Sequence, residues 1–533
     1  MPGPIPTGGP FTMPMMKSFV PRKIQPWIYL LIAFTFQFSN AFYAGSMAHV
    51  MGELALTRED VMMITFCGLV GINLPFPFLF RYKFHFTNKS LIINAACVII
   101  VCNVLTIYIT SLPLICFINF VAGYFKLCGT FECMSNIQLW QTPKRDFSIF
   151  FPELYIIVLG SIEWSSFATS YVDFFADWRM MHVMVIALMV LIVIFMLTCT
   201  RHFRMMKPLP LYGMDWLGMA LWAALMLELC YIFNYGEYYN WIASGNIRWM
   251  MAAVVPTAYF CINRARHVRH PFIAPQAWTY KNIWRMLLLF LAGELLVAIP
   301  NVIQNAYIGS VLHYDSLHLA GFNVMAFVGI VLGCGFSYLW IHVLRLSYVR
   351  VIAIGFAAMV LSQILLYFLI APGVDIEKFY LPTVLRNFGF AINFTSLTIY
   401  MEELMPFQHF FMGLTMMGFV RTGAGQAFSG AVYSYALRWA MADNTARYSG
   451  ILSDVHIYGH NIGGTISSFM QQMLLISSKQ IYGITCFAGV FLVLLMLLYS
   501  VPVRSTLKKM PYWNQIGRQM KKNGTPKRER TIS

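Results

Sequence analysis

Residues 283–308 read IWRMLLLFLAGELLVAIPNVIQNAYI, with Arg285 near the start and a single acid, Glu294, about a dozen residues in. The apolar run is long enough to cross a hydrocarbon core of about 30 Å as a helix. Glu294 then sits roughly 18 Å from the first residue at about 1.5 Å per residue, near the midplane. A carboxylate at that depth is costly to hold and marks a candidate pathway residue. Similar runs recur along the whole chain, from Trp27–His49 through Val61–Leu79 and Leu91–Ile109 to Ile481–Val501, and fourteen such spans are expected.

Composition agrees with that reading. Of 533 residues, 59% are hydrophobic and 11% charged, whereas a soluble globular chain carries about 25% charged residues. The fold class expected is an all-α integral membrane protein. Connections are mostly short, which leaves no room for a soluble catalytic domain. The net charge of +16 is spread over loops rather than gathered on one module, so nucleic acid is not an expected partner. With a cytoplasmic N-terminus, 27 basic residues fall in inside segments and seven in outside ones. The positive-inside rule then puts both termini in the cytoplasm. The eleven cysteines lie in or beside apolar segments and the twelve histidines are scattered. Neither a disulfide framework, a metal site nor a cofactor is expected, and no Ser/His or clustered His/Asp/Glu arrangement suggests an enzyme.

Charges within the spans are the candidate functional residues. Lys126 and Glu132 lie six positions apart on the fourth span. At about 100° per residue they project to opposite sides and need separate partners. Glu163 lies in the outer half of the fifth span. Arg386 is near the outer end of its span, where it can snorkel; Arg421 lies deeper and must meet a carboxylate, carbonyls or water. For Glu294 two readings stand, a titrating carboxylate or an ion-pair partner of Arg386 or Arg421. Gln304, ten residues on, suits either a ligand or an interhelical bond. The outer segment 438–480 contains GTISSFMQQMLLISS, expected as an amphipathic helix lying on the outer surface or as a loop helix packed on the bundle. The basic tail from Lys508 is expected to meet anionic lipid.

Several stretches resemble the fourteen-helix drug:proton antiporter branch of the major facilitator superfamily, the EmrB/QacA type. They are RNFGFAINFTSLTIYMEELMPFQHFFMGLTMMGFVRTGAGQAFSG (386–430), IPNVIQNAYIGSVLHYDSLHLAG (299–321), ADWR (176–179) and YGMDWLGMALWAALMLELCYIFNYGEYYNWIASGNIRW (212–249). The resemblance implies two six-helix bundles, 27–200 and 283–503, with an inserted helix pair in 201–282, a cytoplasmic segment 1–26 and a basic tail 504–533. It implies alternating access around a central cavity, and proton-coupled efflux of amphipathic drugs or toxic organic compounds across a bacterial inner membrane. A periplasmic adaptor and outer-membrane channel are implied as further partners. The cavity would draw on Asn40, Tyr43, Gln304, Trp340 and Phe394. This chain departs from the pattern at the first-span acid, replaced by Ser39 and Asn40, and at the loop FRYKFHFTNKS, which lacks the usual acid and glycine. With those absent, Glu294 is expected to couple protons, with Glu163 in reserve. The departures also leave an alternative, a facilitator-fold scaffold or sensor without coupling.

Overall fold

Inside a bilayer every backbone N–H and C=O must be satisfied within its own segment, and helices do this alone. The computed structural model describes residues 15–38, 42–142, 146–204, 208–312, 314, 316–451 and 462–500, and is helical almost throughout. The N-terminal part holds α1 (Gln25–Gln37), α2 (Phe42–Gly45), α3 (Met47–Leu54), α4 (Arg58–Asn73), α5 (Leu79–His85), α6 (Asn88–Tyr108), α7 (Leu112–Gln141), α8 (Phe147–Phe175) and α9 (Arg179–Cys199). The middle holds α10 (Trp216–Gly236) and α11 (Gly245–His267). The C-terminal part holds α12 (Ile283–Ile299), α13 (Asn305–Tyr307), α14 (Ser316–Tyr338), α15 (Tyr348–Leu369), α16 (Tyr380–Leu404), α17 (Phe407–Gly418), α18 (Ala424–Tyr448) and α19 (Ile462–Ser500).

Ten of the described helical stretches are long and apolar enough to cross a membrane, which makes this a multi-pass membrane protein. The expected count of fourteen is not reached on that criterion. The first span is broken into α1, α2 and α3, and α11, α16 and the α17–α18 stretch carry more polar residues. Segment 438–480 also differs from expectation. Helix α18 runs on to Tyr448, and GTISSFMQQMLLISS is the first part of the continuous α19 rather than a separate surface helix. Met473 and Leu474 are buried, and Asn444 on α18 donates to Ser477 Oγ at 2.9 Å. Buried polar pairing holds the segment upright against α18.

The two parts repeat one packing scheme. In the first, α4 lies along α7 and α6 lies along both α7 and α9; in the second, α14 lies along α16 and α15 lies along both α16 and α19. Glycines let the corresponding backbones touch. A Cβ on Gly71 would stand 2.1 Å from Phe120 O and one on Gly123 2.2 Å from Gly68 O, and on the other side Gly329 and Gly333 would meet Val384 O and Phe388 O at 2.5 and 2.4 Å. Small residues at helix contacts are the usual means of close packing where lipid supplies no hydrophobic drive. The parts join through α8 on α14 and α4 on the α17–α18 bend. The pair α10–α11 packs on α4 and α18 through α10.

At the end carrying Arg81, Lys83 and Lys89 the two parts are shut by aromatic rings. Phe80 stands edge-on to Phe411 with centroids 4.6 Å apart, and Phe147 lies 5.9 Å from Phe410. Ser148 Oγ and His342 Nδ1 are 2.9 Å apart across the same seam. Lys83 and Lys89, expected as loop cations, are buried instead. Lys89 donates to the carbonyls of Leu197 and Thr200 at 3.1 and 3.3 Å, so it satisfies the otherwise open carbonyl end of α9.

Candidate functional site

Glu294 lies on the buried face of α12 six residues before Pro300, where the helix loosens into a π turn, Pro300–Gln304. Proline cannot donate its backbone bond, and such turns often accompany functional positions. A second π turn, Phe419–Gly423, joins α17 to α18 and carries Arg421. Only glycine fits two residues after that turn, because a Cβ on Gly425 would overlap Val420 O at 1.5 Å. The bend aims Arg421 inward, and its Nε stands 3.6 Å from Glu294 Oε1, with both side chains almost wholly buried. At that distance the groups attract as charges but do not hydrogen-bond, and Arg421 Nε has no hydrogen-bond partner among the described residues. The guanidinium carbon lies 3.8 Å from the centre of the Phe394 ring and 5.1 Å from that of Phe390, a cation–π arrangement.

The pair stands against the other half of the molecule. Tyr155 of α8 lies with its ring centroid 4.2 Å from Phe394 and donates its hydroxyl to Thr398 Oγ1 at 3.0 Å. Asn73, at the end of α4, donates to Gly418 O at 3.1 Å, just before the π turn that holds Arg421. The cluster so formed brings an acid, a base, aromatic faces and a hydroxyl together at the seam of the two parts.

Of the two cations expected near Glu294, Arg421 takes that place. Arg386 donates instead to Asn301 Oδ1 at 3.3 Å and is the cation whose charge bears on Glu163. Gln304 is buried in the π turn after Glu294. Lys126 and Glu132 go separate ways, as their spacing implied. Lys126 lines a small cavity with Tyr43, Asn103, Asn119 and His182, while Glu132 pairs with Lys83 at 3.3 Å. Tyr43 therefore belongs with Lys126 rather than with Phe394. Trp340 caps the end of α14, donating to Ser347 O at 3.3 Å and facing Phe336; among the described residues none of these contacts is with Glu294, Arg421 or Phe394. Asn40 lies outside the described residues, as does the tail from Lys508. Sequence reading missed Lys83, Tyr155 and Thr398. Lys83 looked like one loop cation among several, and the other two are common residues whose meaning comes from a contact between positions 243 apart in the chain.

No protein-family model and no curated protein matches the chain. Among solved structures it is similar to an auto-inhibited peptide transporter of the POT family, at 15% identity over 87% of this chain and 97% of that one, with a TM-score of 0.49. It is also similar to the human organic anion transporter MFSD10 (TETRAN), at 9% identity over 86% and 99% and a TM-score of 0.48. A third is the POT family transporter PepTSo, at 16% identity over 88% and 99% and a TM-score of 0.49. At these values the assignment of helices to two repeated bundles rests on this chain's own packing.

Proposed function

We propose that the chain is a secondary active transporter of the major facilitator type, in which protonation of Glu294 drives the movement of a small organic solute. The observation that carries the reading is the buried Glu294–Arg421 pair at the seam of repeated bundles, Arg421 within one π turn and Glu294 on the helix that leads into another. A proton arriving at Glu294 removes one charge of the pair and leaves Arg421 against the aromatic faces. The turn that carries Arg421 is the joint between α17 and α18, and Asn73 of the other bundle bonds to that joint. Loss of the attraction therefore acts on the contact between bundles. A proton shifts such an equilibrium only through its different affinity for the two arrangements, and the broken pair supplies that difference.

In its finer form the reading is fourteen spans with cytoplasmic termini and export of amphipathic compounds, handed to a periplasmic adaptor where the cell has two membranes. Basic residues concentrated at the closed end, including Arg81, Arg201, Arg266 and Arg269, support that sidedness. Rings of Phe394, Phe390 and Tyr155 support an aromatic or cationic cargo.

Purified protein in liposomes tests the reading with Glu294→Gln, which keeps size and hydrogen bonding but cannot titrate. Transport driven by a pH gradient is expected to fall at least about a hundredfold, as for a lost proton-transfer group, while solute exchange without a gradient persists. Gradient-driven transport at the unmodified rate would overturn the assignment of Glu294.

A further inference from the structure

At the closed end a cavity of about 500 Å³ opens between three parts of the chain. Arg81 comes from the first bundle, Arg266, Arg269 and His270 from the end of α11 and the strap that follows it, and His409 from the second bundle. The lining holds no acid, and among the described residues no carboxylate lies within 4.0 Å of Arg81, Arg266 or Arg269. The acid closest in sequence to this wall, Asp215, is already engaged. It accepts from Arg264 Nε at 2.7 Å, from Gly218 N at 2.9 Å and from Phe272 N at 3.2 Å. Those bonds clamp the end of α11 and its strap to the start of α10. Arg81 brings its Nη1 up to Gly213, where a Cβ would stand only 3.1 Å from it. His409, also in the lining, has its Nδ1 2.7 Å from Tyr280 Oη.

A walled cavity with several cations and no counter-charge calls for an anion, and planar guanidinium groups suit phosphate in particular. Its level in the molecule indicates the source. Tyr212 is 92% exposed beside Gly213, and Trp216 and Trp284, which open α10 and α12, are about half exposed. Exposed Trp and Tyr at helix ends mark the headgroup level of a bilayer. We propose that this cavity binds a phosphate-bearing anion, the headgroup of an acidic phospholipid. Because Arg81 and His409 belong to different bundles, the headgroup ties the two together and favours the arrangement in which this end is shut. That consequence rests on the transport reading; the binding does not.

The test uses the full chain in neutral detergent, with dioctanoyl phosphatidic acid, dioctanoyl phosphatidylcholine and inorganic phosphate as probes. Melting temperature and direct binding are read for the unmodified chain, for Arg266→Gln/Arg269→Gln, and for Arg201→Gln/Arg204→Gln, which removes equal charge elsewhere on the same face. Phosphatidic acid is expected to bind and raise the melting temperature of the unmodified and Arg201/Arg204 proteins, phosphatidylcholine to do neither, and the Arg266/Arg269 protein to bind at least about tenfold more weakly. Equal responses in all three proteins, or none in any, would overturn the site. Complete competition by inorganic phosphate with an affinity equal to that of the lipid would overturn the lipid as its source.

Discussion

Lys83 illustrates how little a single residue's type says about its place. It lies in a basic stretch, yet its side chain and that of Glu132 are each only 4% exposed, and the two are 3.3 Å apart. Removing both from water costs several kcal/mol per ion. Further bonds offset this, from Lys83 Nζ to Ser135 Oγ at 2.7 Å and to Asn136 Oδ1 at 2.9 Å. Deleting one partner strands the other. Lys83→Met is therefore expected to destabilise the protein by about 3–5 kcal/mol, and Lys83→Met/Glu132→Met by clearly less, as read by thermal unfolding in detergent. Equal losses in the single and double variants would show that the pair is not the stabilising unit. Glu294 and Arg421 differ from this pair in kind. They sit beyond hydrogen-bonding distance, with aromatic faces rather than amides around the cation, the geometry on which the proposed proton exchange rests.

Among the elements, the two glycine-lined crossings decide how the bundles assemble. Helix α14 meets α16 at Gly329 and Gly333, as α4 meets α7 at Gly68, Gly71 and Gly123. Gly335 is on the same helix as Gly333, but a Cβ there meets nothing within 4 Å. Gly333→Leu should accordingly lower the melting temperature and the yield of folded protein, and Gly335→Leu should leave both close to those of the unmodified chain. The reverse order would refute the packing. The π turns act at the same scale. One begins at Pro300, which cannot donate the helical bond, six residues after Glu294; the other carries Arg421 within it.

For the whole molecule the informative feature is that the two bundles are locked at one end by Phe80, Phe147, Phe410 and Phe411. That end also carries the excess of Arg and Lys, which under the positive-inside rule is the ground for proposing that it faces the cytoplasm. In intact cells, a cysteine at Ala442 on α18 is expected to react with a membrane-impermeant maleimide, and one at Lys281 to react only after the membrane is opened. Labelling of both from outside would remove the sidedness on which the direction of transport depends.

Hydrophobic runs alone determine that this chain lives in a membrane, because length and apolarity are all a bilayer asks of a helix. They also set the depth of Glu294 and the opposite bearings of Lys126 and Glu132, since helical geometry is fixed by residue number. Partnership was decided only in three dimensions. Nothing in the order of residues says that Glu294 faces Arg421 rather than Arg386, that Lys83 leaves its loop for Glu132, or that segment 462–478 continues upright into the last helix. A helix side chain's neighbours belong to other helices, often hundreds of residues away. Which of them it meets depends on crossings set by glycines and on bends set by π turns; the Gly329-x-x-x-Gly333 spacing and Pro300 mark where a crossing and a bend fall, but not which helix lies across them.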